Sequence, residues 1–281
     1  MITTIGVLGA GQMGNGIAHV FSQYEYQVVL FDIAAPQLEK AMKTIGRNLE
    51  RQSQKGAIPE SLVGETLGRI KTTQDMADLA NVDFAVEAVT EYEPLKLEIF
   101  RNLDGIVKEG AILASNTSSI PITKIASVTK RPDKVIGMHF MNPVPVMKLV
   151  EVIRGHATSD ETFTLTGELV IKLEKEMAVS QDYPGFIVNR ILIPMINEAV
   201  FALYEGIATA EDIDKGMKLG TNQPMGPLTL ADFIGLDTVL AIANVLYDGF
   251  KDPKYRPCPL LVKMVNAGYM GRKSGRGFYT Y

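Results

Sequence analysis

A histidine and a glutamate twelve residues apart, His139 and Glu151, have the side chains best suited to proton transfer in this chain. A histidine that exchanges a proton near neutral pH works best when a carboxylate fixes its tautomer and stabilises its charged form. The apolar segments around residues 141–146 are typical of strands, and Pro143 and Pro145 favour a chain reversal between them. A reversal centred on Pro145 places His139 opposite Glu151, roughly 5 Å away between Cβ atoms. A buried histidine beside a rim carboxylate is the alternative.

The N-terminal segment has the glycine spacing of a dinucleotide-binding turn. A short apolar strand at residues 5–8 runs into Gly9-Ala-Gly11-Gln12-Met13-Gly14 and then into a helical stretch. The glycines permit a tight turn and close approach of backbone to a pyrophosphate, and the helix N-terminus supplies the positive end of a dipole. We therefore predict that residues 9–14 hold the phosphates of NAD(H). A merely structural glycine turn is the alternative.

An acidic residue follows at the distance that such a site requires. The second apolar segment, residues 28–31, ends in Asp32, which lies 23 residues after Gly9. A carboxylate at this position accepts hydrogen bonds from the ribose hydroxyls of an adenosine. It would also repel a 2′-phosphate, so the sequence favours NAD(H) over NADP(H).

The first half of the chain alternates apolar and helical segments, which predicts an α/β fold with a doubly wound, mostly parallel sheet. The apolar segments are residues 5–8, 28–31, 83–89, 111–115 and 135–140. Ligands of such sheets bind at the carboxyl ends of the strands, where Asp32, residues 87–91, residues 115–119 and His139 are expected.

A helical arm at about residues 36–68 interrupts this pattern. It is too long for one crossover helix and is broken near residues 56–59, which predicts two helices. From Pro36 to Lys71 there are seven Lys/Arg and four Asp/Glu, whereas the whole chain has a net charge of −4. Basic residues recur at spacings of three or four at Lys40, Lys43, Arg47, Arg51 and Lys55. The arm could hold an anionic part of a substrate, and a solvated charged helix pair is the alternative.

Beyond residues 182–185 the pattern becomes helical, and an apolar stripe runs to about Tyr204. The stripe comprises Ile187, Ile191, Met195 and Val200. We therefore predict two domains, a dinucleotide-binding domain at residues 1–183 and a smaller all-α domain at residues 184–281.

The composition excludes several classes of protein. With 281 residues and 46% hydrophobic content, the chain can bury a sizeable core, and its net charge of −4 argues against nucleic acid or an anionic membrane as partner. One cysteine and three histidines are too few for a disulfide or an obvious metal site. No Lys or Arg precedes Lys40, and no uncharged segment reaches membrane-spanning length, so a cytoplasmic location is expected.

Several motifs together resemble those of one enzyme family. They are Gly9–Gly14, Ser115-Asn-Thr-Ser-Ser119, the segment from His139 to Glu151, Asp182-Tyr-Pro-Gly-Phe-Ile-Val-Asn-Arg190, Pro224-Met-Gly-Pro227 and the terminal Gly271–Tyr279. The chain resembles the 3-hydroxyacyl-CoA dehydrogenase family, and in size and motif order it is most similar to the short bacterial 3-hydroxybutyryl-CoA dehydrogenases.

The resemblance implies roles for individual residues. His139 would be the general base of alcohol oxidation and Glu151 its orienting partner, while Ser118 and Asn189 would hold the reacting substrate. The residues implied near the cofactor are Glu91, Lys96, Asn116, Ser118 and Asn142. From sequence alone Ser118 could instead cap a helix from Ile120 onward, and Asn189 could be an exposed helical residue.

The resemblance also implies the substrate and the assembly. The substrate would be an (S)-3-hydroxyacyl-CoA with a short acyl group, Lys55 of the arm would face the phosphates of the coenzyme, and the helical domain would form a homodimer. Two alternatives remain at this point. One is a dehydrogenase of a free small hydroxy acid, and the other is a dinucleotide-binding protein without turnover.

Overall fold

The computed structural model describes residues 2–281, which form two compact units divided between Tyr183 and Pro184. The strands of the first unit are β1 (Thr4–Leu8), β2 (Gln27–Phe31), β3 (Ile70–Thr73), β4 (Phe84–Glu87), β5 (Ile112–Ser115), β6 (Val135–Phe140), β7 (Leu149–Arg154) and β8 (Glu176–Gln181). Its helices are α1 (Gln12–Gln23), α2 (Ala35–Gln54), α3 (Ser61–Gly68), α4 (Glu93–Ile106), α5 (Ile122–Ala126) and α6 (Asp160–Lys172).

The eight strands form one sheet in the order β3-β2-β1-β4-β5-β6-β7-β8. All neighbours pair parallel except β6 and β7, which form the antiparallel pair expected from the prolines between them. The predicted fold class is therefore confirmed. The strand order also brings the carboxyl ends of β1, β2, β4 and β5 to one edge, where Leu8 pairs with Phe31 and with Glu87.

The two outermost strands are the ones that the sequence pattern did not indicate. In β3 the two central residues are exposed, and in β8 only Ser180 is buried. Edge strands often carry polar residues and show only weak alternation of apolar and polar residues, because one edge of the strand faces solvent. The arm, in contrast, has the two predicted helices, α2 and α3, and α2 buries Leu38, Ala41, Ile45 and Leu49.

The second unit consists of helices around its own apolar core. They are α7 (Val188–Tyr204), α8 (Ala210–Gly220), α9 (Pro227–Ile234), α10 (Leu236–Phe250) and α11 (Pro259–Asn266). The predicted stripe of α7 is wrong in part, because Ile191 is 66% exposed while Ile193 and Ile196 are buried. Apolar residues occur on several faces of this helix, so spacing alone could not select the face that packs.

Within residues 2–281, no single helix is long and apolar enough to cross a membrane. Helices α9 and α10 satisfy the length and composition criterion only as a pair, and they meet at an angle of 100°.

Candidate active site

The His139–Glu151 pair has the predicted cross-strand register. His139 of β6 lies opposite Glu151 of β7, and Nδ1–H of the imidazole donates to Oε2 of the carboxylate at 2.7 Å. Glu151 is fully buried, and His139 is only 8% exposed. Strand pairing therefore fixes both partners, because each side chain projects from a residue inside a continuous antiparallel ladder.

This hydrogen bond determines which ring nitrogen can exchange a proton with a substrate. With the proton on Nδ1 held by Glu151, the neutral imidazole carries its basic lone pair on Nε2. A buried carboxylate next to the ring also stabilises the imidazolium that forms when Nε2 accepts a proton. The pair can thus act as a general base in one direction and as a general acid in the other.

Replacing Glu151 with Gln should lower kcat roughly 10- to 100-fold, because a charge-assisted hydrogen bond contributes about 1.5–3 kcal/mol. The amide oxygen can still accept from Nδ1–H, but the imidazolium loses its counter-charge. The pH dependence of turnover should therefore move to lower pH in both reaction directions, as measured by initial rates across pH. A change confined to the KM of the substrate would make Glu151 a structural residue.

The glycine turn after β1 has the geometry of a phosphate cradle. Gly9 has a φ of +96°, and a Cβ on Gly14 would lie 1.7 Å from the carbonyl oxygen of Gly9, so both positions require glycine. A Cβ on Gly11 would meet no atom of the chain within 4 Å. Glycine at this position leaves space for a ligand rather than for packing. The N–H groups of Gln12 and Met13 lie in the first turn of α1, where helix donors lack acceptors within the helix.

Asp32 borders a cleft of about 510 Å³ beside this turn. Its carboxylate accepts hydrogen bonds from the backbone N–H of Ala10 at 2.7 Å and of Ala34 at 2.9 Å. Two such bonds leave acceptor capacity on the carboxylate, which has about four lone-pair sites. The cleft continues to apolar residues of α4, including Leu95 and Ile99. The turn, the acid and the cleft together fit the adenosine and pyrophosphate of a dinucleotide.

Ser118 lies in a turn after β5. The carboxylate of Glu91 accepts several hydrogen bonds from this turn. Oε1 of Glu91 accepts from the backbone N–H groups of Ser118 and Ser119 at 2.9 and 3.0 Å and from the hydroxyl of Thr117 at 2.5 Å. The hydroxyl of Ser118 lies 3.3 Å from the same oxygen, which is the longest of these contacts. Helix α5 begins only at Ile122, and its first N–H groups donate to the carboxylate of Asp182, so the helix-cap alternative for Ser118 is wrong.

The turn that carries Ser118 lies beside the histidine strand. Ser115 pairs with Gly137 in the parallel ladder of β5 and β6, so His139 is level with the residue before Ser118. The side-chain oxygen of Asn116 accepts from the backbone N–H of Phe140 at 2.8 Å and joins the two strand ends. Asn142 is exposed on the segment that follows β6.

Lys96 and Glu91 belong to an ionic network whose third member, Glu87, the sequence indicated only as part of residues 87–91 at the strand ends. Nζ of Lys96 lies 2.6 Å from Oε1 of Glu87 and 3.1 Å from Oε2 of Glu91, and its side chain is 1% exposed. Burial raises the pKa of Glu91, but the Lys96 ammonium and the hydroxyls of Thr117 and Ser119 outweigh it, so this pKa lies below its ordinary value. Glu91 is therefore a carboxylate at neutral pH.

The remaining predicted residues are Asn189 and the basic residues of the arm, which belong to other segments of the chain. Asn189 is in the first turn of α7 in the second unit, and it is buried, so the alternative of an exposed helical residue is wrong. Lys55 follows α2 and is exposed. The other basic residues of the arm, Lys40, Lys43, Arg47 and Arg51, lie on the exposed side of α2.

Comparison with known proteins identifies the family. The NAD-binding domain of 3-hydroxyacyl-CoA dehydrogenase matches residues 4–183, and the C-terminal domain of the same family matches residues 185–281. This chain belongs to the 3-hydroxyacyl-CoA dehydrogenase family.

Close relatives match along the full length of the chain. A 3-hydroxybutyryl-CoA dehydrogenase of Bradyrhizobium diazoefficiens is 55% identical over 100% of this chain and 96% of that protein. A probable 3-hydroxybutyryl-CoA dehydrogenase of Bacillus subtilis is 52% identical over 100% and 98%. The crystal structure of (S)-3-hydroxybutyryl-CoA dehydrogenase PaaH1 from Ralstonia eutropha superimposes with a TM-score of 0.98 at 52% identity, covering 100% of this chain and 99% of that one.

Proposed function

We propose that this chain interconverts (S)-3-hydroxybutyryl-CoA and acetoacetyl-CoA with NAD(H). The observation that carries the proposal is the buried His139–Glu151 pair beside the carboxyl end of β5. Relatives named 3-hydroxybutyryl-CoA dehydrogenase, at up to 55% identity over the full length, support the substrate.

The residues of the chain supply the proton chemistry and the positioning. NAD⁺, held by residues 9–14 and Asp32, would supply the hydride acceptor for C3 of the substrate. His139 removes the proton of the 3-hydroxyl through Nε2, and in the reverse direction it returns that proton to the oxygen. By the family resemblance, Ser118 and Asn189 would hold the reacting substrate, which would limit its motion relative to His139. Burial of Glu151 keeps water away from the bond that orients the ring.

The proposed cofactor is NAD(H) rather than NADP(H). Asp32 borders the adenosine cleft, and its negative charge would repel a 2′-phosphate. The proposed cofactor contacts are Gly9, Gly11, Gln12, Met13, Gly14, Asp32, Glu91, Lys96, Asn116, Ser118 and Asn142. Of these, Lys96 acts through Glu91, since its ammonium faces two carboxylates in the interior.

Replacing Asp32 with Ser together with Ile33→Arg should shift the ratio of kcat/KM for NADPH and NADH by roughly 100-fold towards NADPH, since juxtaposed like charges cost several kcal/mol. Ile33 is 81% exposed next to the cleft, so an arginine there can reach a 2′-phosphate. Ile33→Arg alone is the control for the new charge. A wild-type enzyme that already prefers NADPH would show that Asp32 does not discriminate between the 2′-hydroxyl and the 2′-phosphate of the cofactor.

Two further elements of the proposal concern binding. Lys55 and the exposed basic side of α2 would face the phosphates of the coenzyme, with charge complementarity as the support.

The helical unit would form a homodimer. Large apolar side chains exposed on this unit support it: Ile191, Ile207, Leu219 and Phe233.

The test of the proposal is NADH oxidation measured with acetoacetyl-CoA, with longer 3-ketoacyl-CoA esters and with free acetoacetate. We expect the highest kcat/KM for acetoacetyl-CoA. Equal turnover of free acetoacetate would favour a dehydrogenase of a free hydroxy acid. Tight NADH binding without oxidation by any of these substrates would favour a binding protein without turnover.

A further inference from the structure

The buried carboxylate of Glu87 stands at the centre of the contacts that shape the Ser118 turn. Glu87 ends β4 and is fully buried. Its Oε1 accepts from Nζ of Lys96 at 2.6 Å and from the backbone N–H of Val89 at 2.7 Å, and its Oε2 accepts from the hydroxyl of Ser115 at 2.7 Å. The ammonium and the backbone N–H can only donate, so Oε1 accepts from both.

One arm of the network leads through Lys96. The ammonium is held between Glu87 and Glu91, and it also donates to the carbonyl oxygen of Val89 at 3.3 Å. Glu91 accepts hydrogen bonds from the backbone N–H groups of Ser118 and Ser119. The position of the Glu91 carboxylate therefore depends on a lysine whose own position depends on Glu87.

The second arm leads through Ser115. Glu87 and Ser115 are opposite each other in the parallel pairing of β4 and β5. The hydroxyl of Ser115 donates to Glu87 and accepts from the backbone N–H of Thr117 at 3.2 Å. The backbone N–H of Asn116 also donates to the carbonyl oxygen of Glu87 at 2.8 Å. The backbone of the Ser118 turn is thus hydrogen-bonded to Glu87 directly at Asn116 and through Ser115 at Thr117.

We propose that Glu87 is a positioning residue for the reaction, which acts by holding the Ser118 turn through Lys96–Glu91 on one side and Ser115 on the other. The inference rests on the proposed role of Ser118. Glu87 itself is buried behind Lys96 and Ser115, so its effect on a substrate must pass through the turn. The ammonium of Lys96 lies between the carboxylates of Glu87 and Glu91. It contacts Oε2 of Glu91, so Oε1 of Glu91 can accept hydrogen bonds from the turn.

The test is a double-mutant cycle of Glu87→Gln and Ser118→Ala, with kcat measured on acetoacetyl-CoA. Glu87→Gln keeps the size of the side chain but removes the charge that holds Lys96 and one acceptor oxygen. We expect it to lower kcat roughly 10- to 100-fold, because small misplacements of positioning groups cost about that much. In the Ser118→Ala background the same change should lower kcat by no more than about threefold, since the two residues act as a unit.

Asp104→Asn is the matched control. Asp104 lies on the same helix as Lys96 and forms a partly buried ion pair with Arg131 at 2.7 Å, and its carboxylate also accepts from the backbone N–H of Lys130 rather than from the Ser118 turn. We expect this variant to lose thermal stability without losing kcat. If Glu87→Gln does not fold, Ser115→Ala replaces it in the cycle, because it removes only one hydroxyl of the network and should couple to Ser118→Ala in the same way.

Two results would overturn the inference without touching the proposed function. One is a wild-type kcat in Glu87→Gln, and the other is an equal loss in both backgrounds, which would mark Glu87 as a structural residue. An unchanged kcat in Ser118→Ala alone would instead refute the role of Ser118 in the proposed function, and the inference would fall with it.

Discussion

Replacing His139 with Gln is expected to lower kcat for acetoacetyl-CoA reduction roughly 10²- to 10⁴-fold, because general acid–base catalysis contributes about that much. Glutamine fills a similar volume and its amide can hydrogen-bond Glu151, but it cannot exchange a proton with the substrate oxygen. The dissociation constant of NADH, measured by its fluorescence, should be little changed. The chain contains no tryptophan, so protein fluorescence contributes little to that signal.

His156→Gln is the matched control for this variant. His156 is exposed at a turn, and its backbone N–H donates to the hydroxyl of Thr123. The control should keep wild-type kcat. A His139→Gln enzyme with wild-type kcat would remove the histidine from the mechanism, while parallel losses of kcat and NADH affinity would point to a disturbed sheet rather than to lost chemistry.

Replacing Lys96 with Met is expected to destabilise the first unit by about 3–5 kcal/mol, the cost of removing one partner of a buried ionic pair. Methionine fills the apolar path of the lysine stem, but it leaves the carboxylates of Glu87 and Glu91 next to each other without the intervening ammonium. In a unit of this size the melting temperature should fall by roughly 6–20 °C, measured by scanning calorimetry. Adding Glu87→Gln should restore part of the loss, since one of the repelling charges is removed.

Lys124→Met provides the comparison for Lys96→Met. Lys124 pairs with Glu93 at 2.6 Å, but its side chain is 51% exposed, and such surface pairs contribute at most about 1 kcal/mol. The same chemical change should therefore cost little at this position. Equal melting temperatures for the two variants would mean that the buried network does not stabilise the unit.

Much of the site could be predicted because its signals are local in sequence. The glycine turn requires Gly9 for its positive φ and Gly14 because a Cβ there would meet the carbonyl oxygen of Gly9, and Asp32 follows directly from the end of β2. Even the His139–Glu151 pair is nearly local, because two prolines mark the reversal and the antiparallel register then follows by counting. These features depend on chain geometry over at most 23 residues, the spacing from Gly9 to Asp32.

Features that depend on distant packing could not be obtained in this way. The face of α7 that packs is decided by the other helices of its unit, which leave Ile191 exposed and bury Ile193 and Ile196. Strand β8 forms because β7 offers it a partner, not because its own residues alternate.

The sequence by itself determined the class of fold, the glycine turn after β1 and the pairing of His139 with Glu151, because residue spacing and backbone stereochemistry are properties of the chain. Only the tertiary structure decided that Glu87 and Ser115, 28 residues apart, share a hydrogen bond and that Lys96 is buried between two carboxylates. The physical reason is that the cost of burying a charge, and the partners that offset it, depend on which strands and helices become neighbours. Strand order and helix packing set those neighbours.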